Sequence, residues 1–319
     1  MTDRVLLVTD PGTDPHYAAG HVERPERREA AAAGVRDAAG GRLLERGAAP
    51  ADHRLLSGVH DAGYLAALEE IERGGGGWLD SDTYLVEGSS EAARLAAGAT
   101  VEAARAAVEG VAAVAFAVAR PPGHHAAAAR GSGFCLLNNV AIAVAALRGA
   151  GLARRIAIVD WDVHHGDGTQ AIFDADPEVW YGSTHQQPLY PGTGARSESG
   201  SGAAAGTKQN RLLAPGSGDG EFTAAWRDDL MPALEAFAPQ AILVSAGYDA
   251  HRDDPLASLL VTEAGYAAVA REVGRASARM GLGGVALTLE GGYDLDALRA
   301  SAAVTVRGLI AGRAEPVPE

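Results

Sequence analysis

Four stretches of the chain are apolar almost without a break: Val111–Val118, Ile156–Val159, Ala241–Val244 and Val285–Leu289. A strand with one face in water alternates apolar and polar residues, whereas a continuous run suits a strand covered on both faces. Between these runs lie alanine-rich segments, Glu91–Val108, Asn139–Arg148, Phe222–Ala236, Glu263–Met280 and Asp294–Leu309, whose length and composition favour helix. Buried strands alternating with helices predict an α/β fold with parallel pairing and helices on both faces of the sheet. Gly- and Ser-rich stretches at Gly74–Gly77 and Gly192–Gly206 read as surface loops rather than linkers, because the alternation resumes after each. With no repeat and no charge block, a single domain over residues 1–319 is the expectation.

The 319 residues, 47% of them apolar, suffice for one large core. A formal net charge of −14 repels phosphate backbones, so nucleic acid is not expected as a direct partner. It suits cationic substrates, although solubility is the simpler explanation. Cys135 is the single cysteine, which excludes an internal disulfide and a cysteine-rich zinc finger and fits a reducing compartment. The apolar run within Met1–Asp10 is too short for a signal peptide, and nothing approaches the roughly 20 apolar residues of a membrane span. These features predict a soluble cytoplasmic protein without a membrane partner.

The chemistry is concentrated after the strands. Val111–Val118 runs into Arg120-Pro121-Pro122-Gly123-His124-His125, and Ile156–Val159 into Asp160-Trp161-Asp162-Val163-His164-His165-Gly166-Asp167-Gly168. Ala241–Val244 leads to Gly247-Tyr248-Asp249, and Val285–Leu289 to Glu290-Gly291-Gly292-Tyr293. The carboxyl ends of parallel strands form the binding crevice of such sheets. If the second segment stays extended, Asp160, Asp162 and His164 share one face and Trp161, Val163 and His165 the other. Two carboxylates and an imidazole, joined by Asp249, suit a divalent cation with an open coordination position. Any one of these residues alone would be a helix cap, a turn or a satisfied core residue; a packed Asp-x-Asp-x-His-His-Gly-Asp run is not explained that way. His124 and His125 can serve as base and acid if carboxylates orient them, and Asp160 and Asp167 are available for that. Tyr293, behind two glycines, can offer a phenol to a developing oxyanion.

The runs Arg-Pro-Pro-Gly-His-His-Ala, Gly133-Phe134-Cys135-Leu136-Leu137-Asn138-Asn139 and Asp160 to Gln170 resemble the histone deacetylase superfamily. The similarity is greatest to its class II branch, with the bacterial deacetylase-like and acetylpolyamine amidohydrolases. It extends from Glu23-Arg24-Pro25-Glu26-Arg27 to Glu290-Gly291-Gly292-Tyr293. The resemblance implies an eight-stranded parallel sheet of the arginase/deacetylase type flanked by helices. It implies Asp162, His164 and Asp249 as ligands of zinc, with ferrous iron the alternative. It pairs His124 with Asp160 and His125 with Asp167, and makes His125 the general base and acid and Tyr293 the oxyanion-stabilising phenol. Gly133, Phe134 and Tyr190 resemble the walls of a narrow acyl-lysine tunnel. Asp82 resembles the rim residue that steadies substrate backbone, and Leu256 another rim position. Potassium is implied at one site by the carbonyls of Asp160, Asp162, His164 and Thr184 with the Ser183 hydroxyl, and Phe173, Asp176 and Val179 resemble part of a second.

Two departures stand out. The family's Gly-His-Pro-Glu-Arg-Pro reads Gly20-His21-Val22-Glu23-Arg24-Pro25, which alters the loop. Leu256 stands where polyamine-selective eukaryotic relatives carry glutamate, which argues against that form of polyamine selectivity without excluding polyamines. The function implied is metal-dependent hydrolysis of an N-acyl amide of lysine or a polyamine. Two rivals are a binuclear ureohydrolase of arginase type, which needs further bridging carboxylates, and an acyl-amine binding module without turnover. A homo-oligomer stays open.

Overall fold

Eight strands, the central ones apolar and the two edge strands partly polar, define the architecture. They are β1 (Val5–Val8), β2 (Leu43–Arg46), β3 (Val114–Ala117), β4 (Ile156–Asp160), β5 (Val179–Gln186), β6 (Lys208–Leu213), β7 (Ala241–Ala246) and β8 (Val285–Leu289). In the computed structural model, which describes residues 2–316, they form one parallel sheet in the order β2-β1-β3-β8-β7-β4-β5-β6. The period of two sorts the side chains between its faces. Val5, Leu7, Phe116, Val159, Val244 and Leu287 pack with helices Glu26–Ala39 (α1), Glu263–Arg279 and Leu295–Ala314. Leu6, Val8, Ala115, Ile158, Leu243 and Ala286 pack with helices Ser89–Val108 and Asn139–Gly149. The fold is therefore the single α/β domain with the flanked eight-stranded sheet that was expected.

The four continuous apolar runs of the sequence are the four central, adjacent strands β3, β8, β7 and β4. Being covered on both faces is what made them conspicuous. The first run overshoots, since β3 begins only at Val114. Strands β2 and β6 carry Glu45, Arg46, Lys208, Gln209, Asn210 and Arg211 because they are the edges, and they escaped a pattern tuned to buried strands. The segment expected as one helix over Phe222–Ala236 is instead a short helix (Asp219–Ala224), a wider π turn (Ala225–Leu230) and a second helix (Met231–Phe237). Pro232 has no N–H to continue the regular ladder, and a π turn absorbs that gap. Gly77 belongs to a two-residue ribbon with Tyr84–Leu85 rather than to a loop.

The loop before α1 is fastened by a buried ion cluster. Glu23, fully buried, accepts from Arg120 Nε at 2.6 Å, Arg120 Nη2 at 2.8 Å and Arg27 Nη1 at 3.0 Å. With valine at position 22, His21 adds a second tie to the turn. Its Nδ1 accepts from Glu23 N at 3.1 Å, its Nε2 donates to Asp82 O at 3.1 Å, and its ring meets Phe134 edge-on.

Burial alone would raise the Glu23 carboxyl, but Arg120 and then Arg27 outweigh it and hold it at about 2. A carboxyl lowered on folding contributes stability above its ordinary pKa and loses it as the pH falls through the folded value. Glu23→Gln leaves two guanidiniums without their counterion. It is expected to cost about 3–5 kcal/mol at neutral pH, with the gap to the parent closing as pH falls from about 4.5 toward about 2. Urea unfolding of both proteins across that range measures it; a pH-independent gap would show that the ion cluster is not its source.

Candidate active site

The loops that leave β3, β4, β7 and β8 converge because those strands are neighbours. From the first, His124 and His125 enter a cavity of ≈ 220 Å³. His124 Nδ1 donates to Asp160 Oδ2 at 3.1 Å, and His125 Nδ1 to Asp167 Oδ1 at 2.8 Å. Both expected His–Asp pairs therefore form. Arg130 Nη2 donates to the other Asp167 oxygen at 2.9 Å, and the Tyr181 hydroxyl to Asp160 Oδ2 at 3.0 Å. Burial, with His124 alongside, drives His125 down to about 3 against the pull of Asp167. It is thus a neutral imidazole at neutral pH, with its Nδ1 proton on Asp167 and Nε2 left for the cavity that its ring lines.

The alternation inferred for the run after β4 holds past the strand end. Trp161 and Val163 enter the apolar core, and His165 faces Thr193 and Gln170. Asp162 and His164 turn the other way, toward Asp249. His164 Nδ1 lies 3.1 Å from Asp162 Oδ1 and 3.1 Å from Asp249 Oδ2. One donor atom from each of these three residues falls within 4.8 Å of the others. Among the described residues this is the group of acidic, histidine and cysteine side chains disposed to hold a metal ion. Both carboxylates are fully buried. Burial opposes a charged imidazole, but Asp162 and Asp249 together raise His164 to about 10. Two buried carboxylates that draw a proton onto the one imidazole between them form a donor set short of positive charge, and a divalent cation fits it.

Backbone N–H groups fix the remaining carboxylate oxygens. Val163 N donates to Asp249 Oδ1 at 2.9 Å, and Gly291 N to Asp162 Oδ2 at 2.8 Å. Glycine is required at Gly291 because a Cβ there would lie 2.0 Å from Asp249 Oδ2.

The cavity is lined by Asp82, His124, His125, Gly133, Phe134, Asp162, His164, Tyr190, Leu256 and Tyr293, together with Pro122, Leu189 and Gly291. Sequence reasoning had singled out the first ten. Gly133 and Phe134 both have positive φ, 54° and 69°. A Cβ at Gly133 would strike the His125 ring at 2.4 Å. Phe134 holds its strained backbone with its N–H on Thr83 Oγ1 at 3.0 Å and stands edge-on to Tyr293, with ring centroids 5.7 Å apart. Tyr190 packs edge-on against His125 at 5.1 Å. Asp82 is half-buried at the mouth, its carboxyl raised by burial and by Asp80.

Four groups that hold this arrangement went unassigned in the sequence. Glu290 Oε2 accepts from Gly123 N at 2.6 Å and His124 N at 3.1 Å, and its Oε1 from Ser245 Oγ at 3.0 Å. It thereby ties the β3 loop and strand β7 to the end of β8. Arg27 Nε donates to Gly292 O at 2.6 Å and Nη2 to Glu290 O, with its guanidinium 4.6 Å from the centre of the Tyr293 ring. Asp254 Oδ2 accepts from Tyr293 N at 2.7 Å. The Tyr181 hydroxyl, already placed on Asp160, also accepts from Gly166 N at 3.1 Å. Only Glu290 offered a signal, as a carboxylate directly after a buried strand.

Of the residues implied for the first potassium site, Asp160 and Ser183 are register partners on adjacent β4 and β5, Thr184 follows, and all are buried, with the Ser183 hydroxyl 2.9 Å from His185 Nδ1. The second is not left free for a dissolved ion: the carbonyls of Asp176 and Val179 accept from Lys208 Nζ at 3.1 and 2.7 Å. That is a correction to the reading of Phe173, Asp176 and Val179.

Residues 21–309 match the model of the histone deacetylase domain. The chain belongs to the histone deacetylase family. It is 40% identical over 316 residues to a "Probable deacetylase" of Methanothermobacter thermautotrophicus, covering 98% of this chain and 92% of that one. It is 38% identical to a "Histone deacetylase-like amidohydrolase" of Pseudomonas aeruginosa, covering 88% and 74%. The crystal structure of the HDA15 HD domain superposes with a TM-score of 0.90 at 37% identity, over 97% of this chain and 90% of that one. Among the described residues no helix is long and apolar enough to cross a membrane.

Proposed function

We propose that the chain hydrolyses an N-acyl, chiefly N-acetyl, amide of lysine or a polyamine, with one divalent ion, zinc by preference, at Asp162, His164 and Asp249. The observation that carries the reading is that Asp162 and His164 of this triad, the imidazoles of two His–Asp pairs and a phenol all line one cavity, with Asp249 converging on His164 from behind. A bound divalent ion supplies Lewis acidity toward the amide oxygen and toward water. His125 takes the water proton at Nε2, while Asp167 steadies the imidazolium that forms. The Tyr293 hydroxyl donates to the oxyanion as the amide carbon becomes tetrahedral. His125, with His124 beside it, returns a proton to the departing amine. Phe134 and Tyr190 orient the linear acyl chain, and Asp82 accepts from substrate N–H groups at the mouth. Potassium at Asp160, Asp162, His164, Ser183 and Thr184 would brace the turn that carries the ligands.

The ureohydrolase alternative is disfavoured because imidazoles, His124 and His125, stand beside the triad where further bridging carboxylates would be needed. The binding-module alternative predicts no role for the phenol in turnover. Tyr293→Phe keeps the ring against Phe134 and Arg27 and deletes only the hydroxyl. An interaction made in the transition state lowers kcat rather than affinity when lost. The variant is expected to lose on the order of 10²–10³ in kcat, on an acetyl-lysine peptide and on an acetylated diamine, while still binding a hydroxamate. Equal turnover in parent and variant would remove Tyr293 from the chemistry. A metal-loaded parent that binds hydroxamate yet turns over neither substrate would favour the binding module.

A further inference from the structure

Lys208 opens β6, an edge strand, where a lysine ordinarily extends its ammonium into water. Here the residue is 1% exposed. Its Nζ donates to Val179 O at 2.7 Å, Thr207 Oγ1 at 2.7 Å and Asp176 O at 3.1 Å. An ammonium has three N–H donors, and three oxygens receive them. The Asp176 carboxylate is not among these, because it faces Arg148, with Nη1 at 2.5 Å from Oδ2. The cradle is therefore made of neutral oxygens, two of them main-chain carbonyls. That is the donor chemistry of a site for a hard monovalent cation rather than of an ion pair.

Two of those oxygens belong to residues whose resemblance implied the second potassium site. A dissolved ion and the ammonium cannot both occupy one set of carbonyls. We infer that Lys208 is a built-in substitute for the second monovalent cation: its tethered ammonium cross-links the Asp176 carbonyl, after helix Asp167–Phe173, to the Val179 carbonyl at the start of β5. Burial pulls the amine down to about 8 against the pull of Asp176, so the charge persists at neutral pH. The pinned carbonyls follow the helix that begins at Asp167, the residue that orients His125. The chain would hold those carbonyls in place without drawing on dissolved potassium there. The inference rests on the Lys208 geometry and stands whatever amide the chain hydrolyses.

Thallium(I), a monovalent ion visible by anomalous scattering, is the probe. Crystals of the parent soaked in thallium acetate are expected to show no thallium beside the Asp176 and Val179 carbonyls, whatever they show near Asp160 and Ser183. Lys208→Ala removes the ammonium, and a new thallium peak is expected among those carbonyls. In solution, binding to the folded state alone raises the unfolding midpoint. The variant's midpoint is therefore expected to rise in potassium chloride over choline chloride at equal ionic strength by more than the parent's does. Thallium on those carbonyls in the parent would overturn the inference. So would a folded variant that takes up none, or one whose potassium response equals the parent's. If the variant does not fold, the anomalous map of the parent decides alone.

Discussion

Asp249→Ala is expected to abolish turnover together with metal binding. Asp249 Oδ2 is one of the three converging donor atoms, and its loss leaves Asp162 and His164, two donors from a single loop. A catalytic site of this kind needs three protein ligands to fix the ion while leaving a position open. The rate should fall by more than about 10³, because one electrostatic stabiliser alone is worth about 10²–10³ and the ion serves both carbonyl and water. Folding should survive, since the substitution removes one of two mutually repelling buried carboxylates rather than stranding a charge. Metal analysis after gel filtration, beside the unfolding midpoint, separates these effects. Parental metal content in the variant would place the ion elsewhere.

His125→Ala is expected to keep the metal and lose the proton transfers. The ring sits 2.8 Å from Asp167 and lines the cavity, but it is not one of the three converging donors. A positioned base contributes typically 10²–10⁴, so kcat should drop by about that factor. Asp167 keeps Arg130 as its partner, which limits the cost to stability. Small imidazoles added to the assay should restore part of the rate if the missing group is a proton acceptor. Near-parental turnover in the variant would shift the base to His124.

The sequence was most readable where burial and chemistry met. The central strands β3, β4, β7 and β8 are apolar throughout because both faces are covered, and each is followed at once by the residues of one site. Period-two alternation placed Asp162 and His164 on one side and Trp161 and Val163 on the other, and that survives in the structure. What holds the site together was not readable. Arg27 reaches Gly292, Glu290 reaches Gly123, and Asp254 reaches Tyr293, each across a separation that only the tertiary fold sets. Lys208 was hidden for another reason: nothing in Gly206-Thr207-Lys208-Gln209 distinguishes a solvated edge lysine from one turned inward. The second potassium site therefore came over from the resemblance, and the lysine that fills it did not.

Metal dependence with one ion per chain is tested most directly by stripping the parent with a chelator and adding zinc back in steps, with acetate release from an acetyl-lysine peptide followed at each step. The expected curve starts near zero, rises linearly and breaks at one zinc per chain, because the Asp162, His164 and Asp249 donors form one site. Undiminished turnover by the stripped protein, or a break at two ions per chain, would contradict a single-metal deacetylase.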